Sequence, residues 1–356
     1  IQEGDRIVAN RGIEEVLGTG IVSGSYYFVP GARHGHRLPV EWDANFAPRR
    51  EQQPGWHRTL VEIDRAKFDE ICALPPAPPK NPAYTLAQCA TDTGLEEATL
   101  ARWVRALERK GQVILYGPPG TGKTYLAEHL ARHLIGGGDG VCEIVQFHPA
   151  YAYEDFMQGI RPQARRGGGL HYPLVPGRFL EFCSTAQQCR GRCVLIIDEI
   201  NRADLTRVFG ELMYLLEYRD REIPLAGGGS FRIPANVRLI GTMNTADRSI
   251  ALVDHALRRR FAFIKIEPNF HVLRRYHQKT GFPVEKLVTV LHSVNKAIVD
   301  PHYAVGITFF LHENLPTEIE SIWRMEIEPY LEEYFFDQPE KVNAFRWERI
   351  GPTILP

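Results

Sequence analysis

The segment Gly117-Pro118-Pro119-Gly120-Thr121-Gly122-Lys123-Thr124 decides the fold of this chain. It fits the phosphate-binding pattern G-x-x-x-x-G-K-[ST] without a mismatch, between a predicted strand at 113–116 and a predicted helix at 124–134. Its glycines let successive backbone N–H groups point at a phosphate, and the helix N-terminus adds positive potential. We therefore predict that residues 117–124 hold the phosphates of a nucleotide. Lys123 would bridge two phosphates, and the Thr124 hydroxyl would hold Mg²⁺.

Two carboxylates follow another apolar strand. The run 194–197 ends in Asp198 and Glu199, at the edge where α/β sheets bind their ligands. A surface acidic pair is the alternative, but it fits poorly after a run of apolar residues. We predict that Asp198 supports the metal ion together with Thr124. Glu199 is predicted to orient and deprotonate the attacking water.

A neutral amide follows the next apolar strand. The run 237–240 leads into Gly241-Thr242-Met243-Asn244-Thr245-Ala246-Asp247-Arg248, which brings Asn244 to the same predicted edge. An amide can hydrogen-bond both the attacking water and the terminal phosphate without adding charge. Asp247 either helps to hold that water or caps the helix that follows, and both roles fit the sequence.

Consecutive arginines at positions 258–260 end a short predicted helix. A solvated basic cap on the helix C-terminus is one interpretation. Arginine, however, is always charged, and its planar fork suits a phosphate. Beside a complete nucleotide site, we predict that Arg259 or Arg260 reaches a phosphate in a neighbouring active site.

The order of the predicted elements indicates an α/β fold. Apolar strands alternate with helical patterns, which is typical of a parallel sheet covered on both faces. The predicted regions are a small β-barrel-like module at 1–64, a proline-rich linker at 65–83, a helical pair at 84–111, a large α/β domain at 112–267 and a helical lid at 268–356. For the helical pair we favour packing on the large domain over a DNA-reading helix-turn-helix, because no dense basic face accompanies it.

The composition excludes several classes of protein. Of 356 residues, 44% are hydrophobic and 24% charged, which excludes bulk disorder. The 42 Lys and Arg residues are balanced by 43 Asp and Glu, so the chain lacks the basic excess of a histone-like protein. It has no run of apolar residues long enough to cross a membrane and no secretory signal. The six cysteines are scattered along the chain, which fits a reducing environment, so a cytoplasmic location is predicted. Cys183, Cys189 and Cys193 are close in sequence, but we expect them to be buried thiols rather than metal ligands. Because the first residue is Ile1 rather than methionine, we expect a piece of a longer protein.

Further runs match a known family. They are Asp198-Glu199-Ile200-Asn201-Arg202-Ala203, Met243-Asn244-Thr245-Ala246-Asp247-Arg248-Ser249 and Ala256-Leu257-Arg258-Arg259-Arg260-Phe261. Together they resemble the AAA+ ATPases, and more narrowly the McrB-like motor subunits of modification-dependent restriction systems. The resemblance covers residues 105–340. The Asn-Thr-Ala-Asp run is specific for this branch, whereas the phosphate loop alone indicates only an NTPase.

The resemblance implies an AAA+ fold, with a parallel sheet and a helical lid, in a homo-oligomeric ring, a hexamer, with nucleotide between subunits. In such a ring Asn244 is the sensor, Asp247 helps to place the water, and Arg259 or Arg260 acts in trans. Mg²⁺ and GTP are implied, with ATP as the alternative because no guanine-specific N-K-x-D run occurs. The implied partners are an McrC-like nuclease subunit and DNA, modified or not, with no membrane. A MoxR-type AAA+ ATPase that remodels protein complexes is the alternative.

Some segments depart from the family or stay open. Gly306-Ile307-Thr308-Phe309-Phe310 stands where the family has a lid motif much like G-H-S-Y-F, so a polar lid contact is expected to be lost or moved. The insertion at 159–179 carries Arg161, Arg165 and Arg166. It is either a basic hairpin that touches DNA phosphates in a ring pore or a solvated loop.

The N-terminal module resembles part of an EVE-like or PUA-like barrel, through residues 4–10 and Gly18-Thr19-Gly20. Such barrels can flip modified bases into an aromatic pocket, for which Tyr26, Tyr27 and Trp42 are the candidates. Because the barrel is incomplete, we expect these aromatic residues to belong to the core instead.

Overall fold

The computed structural model describes residues 1–12, 15–30, 36–44, 46, 48–50, 61–73, 80–164, 169–247 and 255–355. The chain divides into two compact units, Ile1–Pro79 and Lys80–Pro356. Within the described part of the chain, every helix is too short or too polar to span a bilayer.

The first unit is a small antiparallel β module with one helix. Its elements are β1 (Arg6–Arg11), β2 (Glu15–Val22), β3 (Tyr27–Phe28), β4 (His36–Arg37), β5 (Val40–Trp42), β6 (Arg49–Arg50) and α1 (Arg65–Ala73). The long strand β2 pairs with β1, β5 and β6, whereas β3 and β4 form a separate hairpin. Alternate residues of β2 point to one face, as its period of two requires, and Val16 on that face is buried.

The helix α1 lies inside the range 65–83 for which the sequence predicts a linker. Its Ile71 is fully buried and packs with Val16 and Phe46 in the core of the module. The apolar residues Phe68 and Ile71 lie three apart, a helical spacing. The proline cluster at 75–79 instead favoured a linker over the whole range, so the helix was not predicted.

The three aromatic residues considered as a base pocket lie on the surface of the first unit, so the expectation that they belong to the core is wrong. Tyr26, Tyr27 and Trp42 are 57%, 47% and 50% exposed. The ring of Trp42 lies across β2, where a Cβ atom on Gly20 would approach it to 3.1 Å. The small cluster of Val16, Phe46 and Ile71 fills the core without them.

The second unit is built on a parallel sheet. Its strands are β7 (Gln112–Gly117), β8 (Cys142–Gln146), β9 (Gln158–Ile160), β10 (Gln163–Ala164), β11 (Leu170–His171), β12 (Leu174–Pro176), β13 (Cys193–Asp198), β14 (Ile223–Pro224), β15 (Ser230–Phe231), β16 (Val237–Asn244) and β17 (Ala262–Lys265). The main sheet has the order β17-β7-β16-β13-β8, and every pair in it is parallel. The predicted parallel sheet is confirmed.

Helices cover both faces of this sheet and continue into a C-terminal helical region. They are α2 (Leu86–Thr93), α3 (Glu97–Lys110), α4 (Lys123–Ile135), α5 (Tyr153–Phe156), α6 (Arg178–Ala186), α7 (Leu205–Phe209), α8 (Leu212–Glu217), α9 (His255–Arg260), α10 (Phe270–Thr280), α11 (Glu285–Ala297), α12 (Leu315–Ile322), α13 (Glu328–Tyr334), α14 (Pro339–Val342) and α15 (Trp347–Ile354). Neighbouring residues of β13 contribute to different cores, Ile196 with α2–α4 and Ile197 with α6–α8. Burial on both faces explains why the strands read as continuous apolar runs.

The helical pair α2–α3 packs against the sheet. Thr85 caps α2 in a reciprocal capping box with Gln88, and Gly94 ends it in the left-handed conformation. Leu100 and Leu107 of α3 are buried in the same core as strand β7. The apolar faces of both helices are therefore used for packing.

The insertion after α5 forms a β-hairpin, in which β9 pairs with β12 and β10 with β11. Arg161 lies within this hairpin, directly after β9, and forms an ion pair with Asp155. Arg165 and Arg166, the other basic residues of the insertion, lie outside the described residues.

The C-terminal helices form a separate core and contact the phosphate loop. In α11, the buried residues Leu287, Leu291 and Val294 recur at helical spacing and pack with Trp323. Between α11 and α12, Gly306 lies against the loop: a Cβ atom there would be 2.0 Å from the carbonyl oxygen of Gly120. The predicted helical lid is confirmed, and it packs directly on the phosphate loop.

Replacing Gly306 by alanine tests this contact. The added methyl group meets backbone atoms that cannot move aside, so Gly306→Ala should lower the thermal unfolding temperature and weaken nucleotide binding. Gly281→Ala is the control: Gly281 has a φ of +76° but open space around it. The control should lose about 1 kcal/mol through backbone strain and keep its nucleotide affinity. Unfolding and affinity like those of the unmodified chain in Gly306→Ala would contradict the packing described.

Candidate nucleotide site

The phosphate loop connects β7 to α4 and depends on its glycines. Gly120 has a φ of +71° and Gly122 a φ of +81°, a region that side chains with a Cβ atom disfavour. Gly122 is the N-cap of α4, and Lys123 is the first residue of that helix. The loop therefore curls around a helix N-terminus, whose free N–H groups suit an anion.

Lys123 is a buried cation inside this loop. Its Nζ donates to the carbonyl oxygen of Pro118 at 2.8 Å and lies 3.4 Å from Oγ1 of Thr121. Burial lowers the pKa of Lys123 to about 8, against the opposing effect of the nearby carboxylates, Asp198 first among them. An anionic phosphate would offer this ammonium group a stronger partner than the neutral oxygens do. The loop therefore fits a nucleotide.

Asp198 ends β13 beside the loop. Its Oδ1 accepts hydrogen bonds from the hydroxyl of Thr124 at 2.8 Å and from the hydroxyl of Thr242 at 2.5 Å. A hydroxyl and a carboxylate already in contact supply the hard oxygen ligands that Mg²⁺ prefers, so Thr124 and Asp198 fit its site. No group of three or more His, Cys, Asp or Glu residues suited to a metal occurs among the described residues. Phosphate oxygens and water would supply the other ligands of the ion.

Glu199 adopts an unusual backbone conformation. Its φ is +50°, the one positive value found for a non-glycine residue in the described ranges. Its N–H donates to Oγ1 of Thr242 at 3.1 Å, and its Oε2 lies 2.7 Å from Nε of Arg202. Backbone strain of this kind is concentrated at functional sites.

Asn244 and Asp247 lie close to these carboxylates. Asn244 ends β16 and pairs in register with Gly117, the last residue of β7. Asp247 lies 3.3 Å from Nε of Arg202 through its Oδ2. The alternative role of Asp247, as a cap of the following helix, involves residues 248–254, which lie outside the described residues. The next described helix begins at His255.

Arg202 is the residue that sequence reasoning missed. It bridges Glu199 and Asp247, the two acids predicted to handle water. The sequence signal that could have found Arg202 is its spacing of three residues from Glu199, which brings two side chains together on a helical turn. In the structure Arg202 ends the single turn Ile200–Arg202.

Arg259 and Arg260 lie far from the phosphate loop of their own chain. The carbonyl oxygen of Arg260 accepts from Nε2 of Gln112, the first residue of β7, whereas the loop begins at its last residue. At about 3.3 Å per residue, the two ends of this strand lie about 17 Å apart. Both side chains pair with Glu217, but that of Arg260 is 14% exposed and that of Arg259 is 70% exposed. The two arginines predicted as alternatives therefore differ sharply in the exposure of their side chains to solvent.

The lid contacts the phosphate loop through its backbone. The N–H of Thr308 donates to the carbonyl oxygen of Gly120 at 2.9 Å, and a Cβ atom on Gly120 would meet the ring of Phe309 at 2.5 Å. A Cβ atom on Gly306 would also lie 2.5 Å from the carbonyl oxygen of Pro119. In this chain, main-chain and aromatic contacts occupy the place of the polar lid motif.

The buried lysine makes nucleotide binding depend on pH. The pKa of Lys123 lies below its ordinary value, so the free chain loses the charge as pH rises through about 8, whereas a bound phosphate would restore it. The dissociation constant of a fluorescent nucleotide should stay level below that pH. Above it, the constant should rise by up to roughly tenfold per pH unit. An unchanged constant across this range, with folding verified by circular dichroism, would contradict the assignment.

Comparisons with known proteins agree with this geometry. The family described as AAA domain (dynein-related subfamily) matches residues 112–261, and the family described as McrB, alpha-helical lid domain matches residues 286–343. The resemblance of the first unit to an EVE- or PUA-like barrel stays a prediction.

Two relatives are restriction proteins. The Type IV methyl-directed restriction enzyme EcoKMcrB subunit of Escherichia coli (strain K12) is 38% identical over 314 residues, 80% of this chain and 67% of that protein. The Type II restriction enzyme BsuMI component YdiS of Bacillus subtilis (strain 168) is 28% identical over 193 residues, 43% of this chain and 56% of that protein. With its phosphate loop, acidic pair and lid in place, the chain belongs to the McrB family of AAA-domain P-loop NTPases.

Proposed function

We propose that this chain is the GTP-hydrolysing ring motor of a modification-dependent DNA restriction system. Hydrolysis would drive DNA translocation, and cleavage would be carried out by an McrC-like nuclease subunit. The observation that carries the proposal is the contact of Thr124 with Asp198 beside the buried Lys123. A protein that only binds nucleotide would have no use for Glu199, the water-activating carboxylate next to this contact.

Each side chain of the site has a defined task. Lys123 and the loop N–H groups bind the phosphates, and Thr124 and Asp198 would hold Mg²⁺, which supplies charge neutralisation when bound. Glu199 accepts the proton of the attacking water, and Asn244 orients that water. Arg202 links Glu199 to Asp247, so water activation would require one of these ion pairs to loosen.

The position of the arginines supports a ring. They lie at the end of β7 opposite the phosphate loop, which argues against contact with the nucleotide of their own chain. In a closed ring of identical subunits, the same surface would face the nucleotide of the next copy. Both arginines pair with Glu217. We assign the trans-acting role to Arg259 because its side chain is exposed, whereas that of Arg260 is largely buried and also donates to the carbonyl oxygen of Met213.

DNA contact is assigned to two exposed parts of the chain. The first is the aromatic surface of the β module, Tyr26, Tyr27 and Trp42, which could stack on bases. The second is the hairpin of the insertion, with Arg161 within it. A cytoplasmic location of the protein fits this role, because the DNA of both host and phage is accessible there.

Phosphate release with GTP and with ATP tests the function. GTP should be preferred, and the McrC-like nuclease should raise the rate. Glu199→Gln should bind nucleotide normally and lose at least roughly 100-fold in turnover, because the amide cannot accept the proton. Equal use of ATP without stimulation would instead favour a remodelling ATPase. Unchanged turnover in Glu199→Gln would remove Glu199 from the mechanism.

Mixing two inactive variants tests the ring. In a mixture of Arg259→Ala with Glu199→Gln, some sites combine Glu199 of one copy with Arg259 of its neighbour, so turnover should recover. A cis-acting Arg259 would give no recovery. Arg260→Ala is the matched comparison: because Arg260 bonds Glu217 and Met213, its loss should mainly lower the unfolding temperature.

A further inference from the structure

Thr242 occupies a position between the two catalytic carboxylates that the proposed mechanism does not use. It lies on β16, two residues before Asn244, and is buried. Its hydroxyl donates to Oδ1 of Asp198 at 2.5 Å and accepts the N–H of Glu199 at 3.1 Å. One hydroxyl group therefore joins the side chain of one acid to the backbone of the next.

We propose that Thr242 is a positioning residue for hydrolysis, whose hydroxyl fixes the Asp198 carboxylate and the Glu199 backbone relative to each other. The proposal rests on the proposed function and adds a residue to it. Valine has nearly the same shape as threonine and suits a buried strand as well. A buried hydroxyl at this position is costly unless it is hydrogen-bonded, and both of its hydrogen bonds here go to the catalytic pair.

The first bond orients Asp198. Two hydroxyls donate to the same oxygen, that of Thr124 from α4 and that of Thr242 from β16. Thr124 is itself assigned to the metal ion, so Thr242 is the donor that holds Asp198 without being a ligand. The two hydroxyls that donate to Oδ1 fix the plane of the carboxylate. A ligand oxygen held in a fixed position favours binding of the metal ion.

The second bond stabilises the turn at Glu199. A non-glycine residue at a φ of +50° is disfavoured, and the fixed oxygen of Thr242 binds the N–H of that residue. Without this acceptor, the partly buried N–H would lose its partner and the backbone could return to a commoner conformation. Glu199 would then lose its defined direction relative to the metal ligand.

The test compares variants that differ only in the hydroxyl. Thr242→Val exchanges hydroxyl for methyl, while Thr242→Ser and Thr242→Ala both lack the methyl and differ in the hydroxyl alone. We expect Thr242→Val and Thr242→Ala to lose roughly tenfold or more in kcat and to need more Mg²⁺ for half-maximal rate. Thr242→Ser should restore both quantities relative to Thr242→Ala.

Thr93→Val is the matched control. Thr93 is also buried, and its hydroxyl also donates and accepts, to the carbonyl oxygen of Cys89 and from the N–H of Leu95. This control should lose stability but keep the Mg²⁺ dependence of the unmodified chain. An unchanged kcat and Mg²⁺ requirement in Thr242→Val, or equal values in Thr242→Ser and Thr242→Ala, would overturn the proposal.

A binding experiment separates this proposal from the proposed function. Mg²⁺ should increase the affinity of the unmodified chain for a fluorescent GTP analogue, and Thr242→Val should lose much of that increase while binding equally without metal. This outcome would support the role of Thr242 in metal binding, whether or not the unmodified chain hydrolyses GTP. Absence of GTP hydrolysis by the unmodified chain would contradict the proposed function, but not the role of Thr242 in metal binding. The same metal-dependent gain in Thr242→Val and in the unmodified chain would refute the effect on Asp198.

Discussion

The register of the parallel sheet is the constraint on which the site depends. Asn244 of β16 lies opposite Gly117 of β7, while the neighbouring strand β13 ends at Asp198. Because the strands are parallel, their carboxyl ends share one edge, which brings the phosphate loop, the acids and the amide of Asn244 to the same side of the sheet. The arginines, which end α9, lie at the other end of β7, and this separation supports the proposal that a second copy completes the site.

The polar groups at this edge form one connected network. Hydroxyls of two threonines hold Asp198, Arg202 links Glu199 to Asp247, and the lid backbone binds the loop at Gly120. In this arrangement Lys123 binds the carbonyl oxygen of its own loop. Nucleotide binding therefore requires a local exchange of partners by Lys123, while the strands and their ends can stay in place.

Much of the fold and the site could be predicted from sequence because the signals are local. Buried parallel strands read as apolar runs, and the loop between β7 and α4 has a fixed pattern of glycines. Partners brought together by strand pairing could not be predicted: Thr242 reads as an ordinary strand residue, and its role depends on the register with β13. The exposure of Trp42 could not be predicted either, because it depends on which residues of the folded module fill its small core.

The most direct test of the central claim is the structure of the Glu199→Gln assembly with GTP and Mg²⁺. The account predicts that Nζ of Lys123 leaves Pro118 and binds the phosphates, and that Thr124 and Asp198 hold the ion. It also predicts that Arg259 of the neighbouring copy faces the terminal phosphate. Phosphates bound away from Lys123, or a nucleotide enclosed by one copy alone, would contradict it.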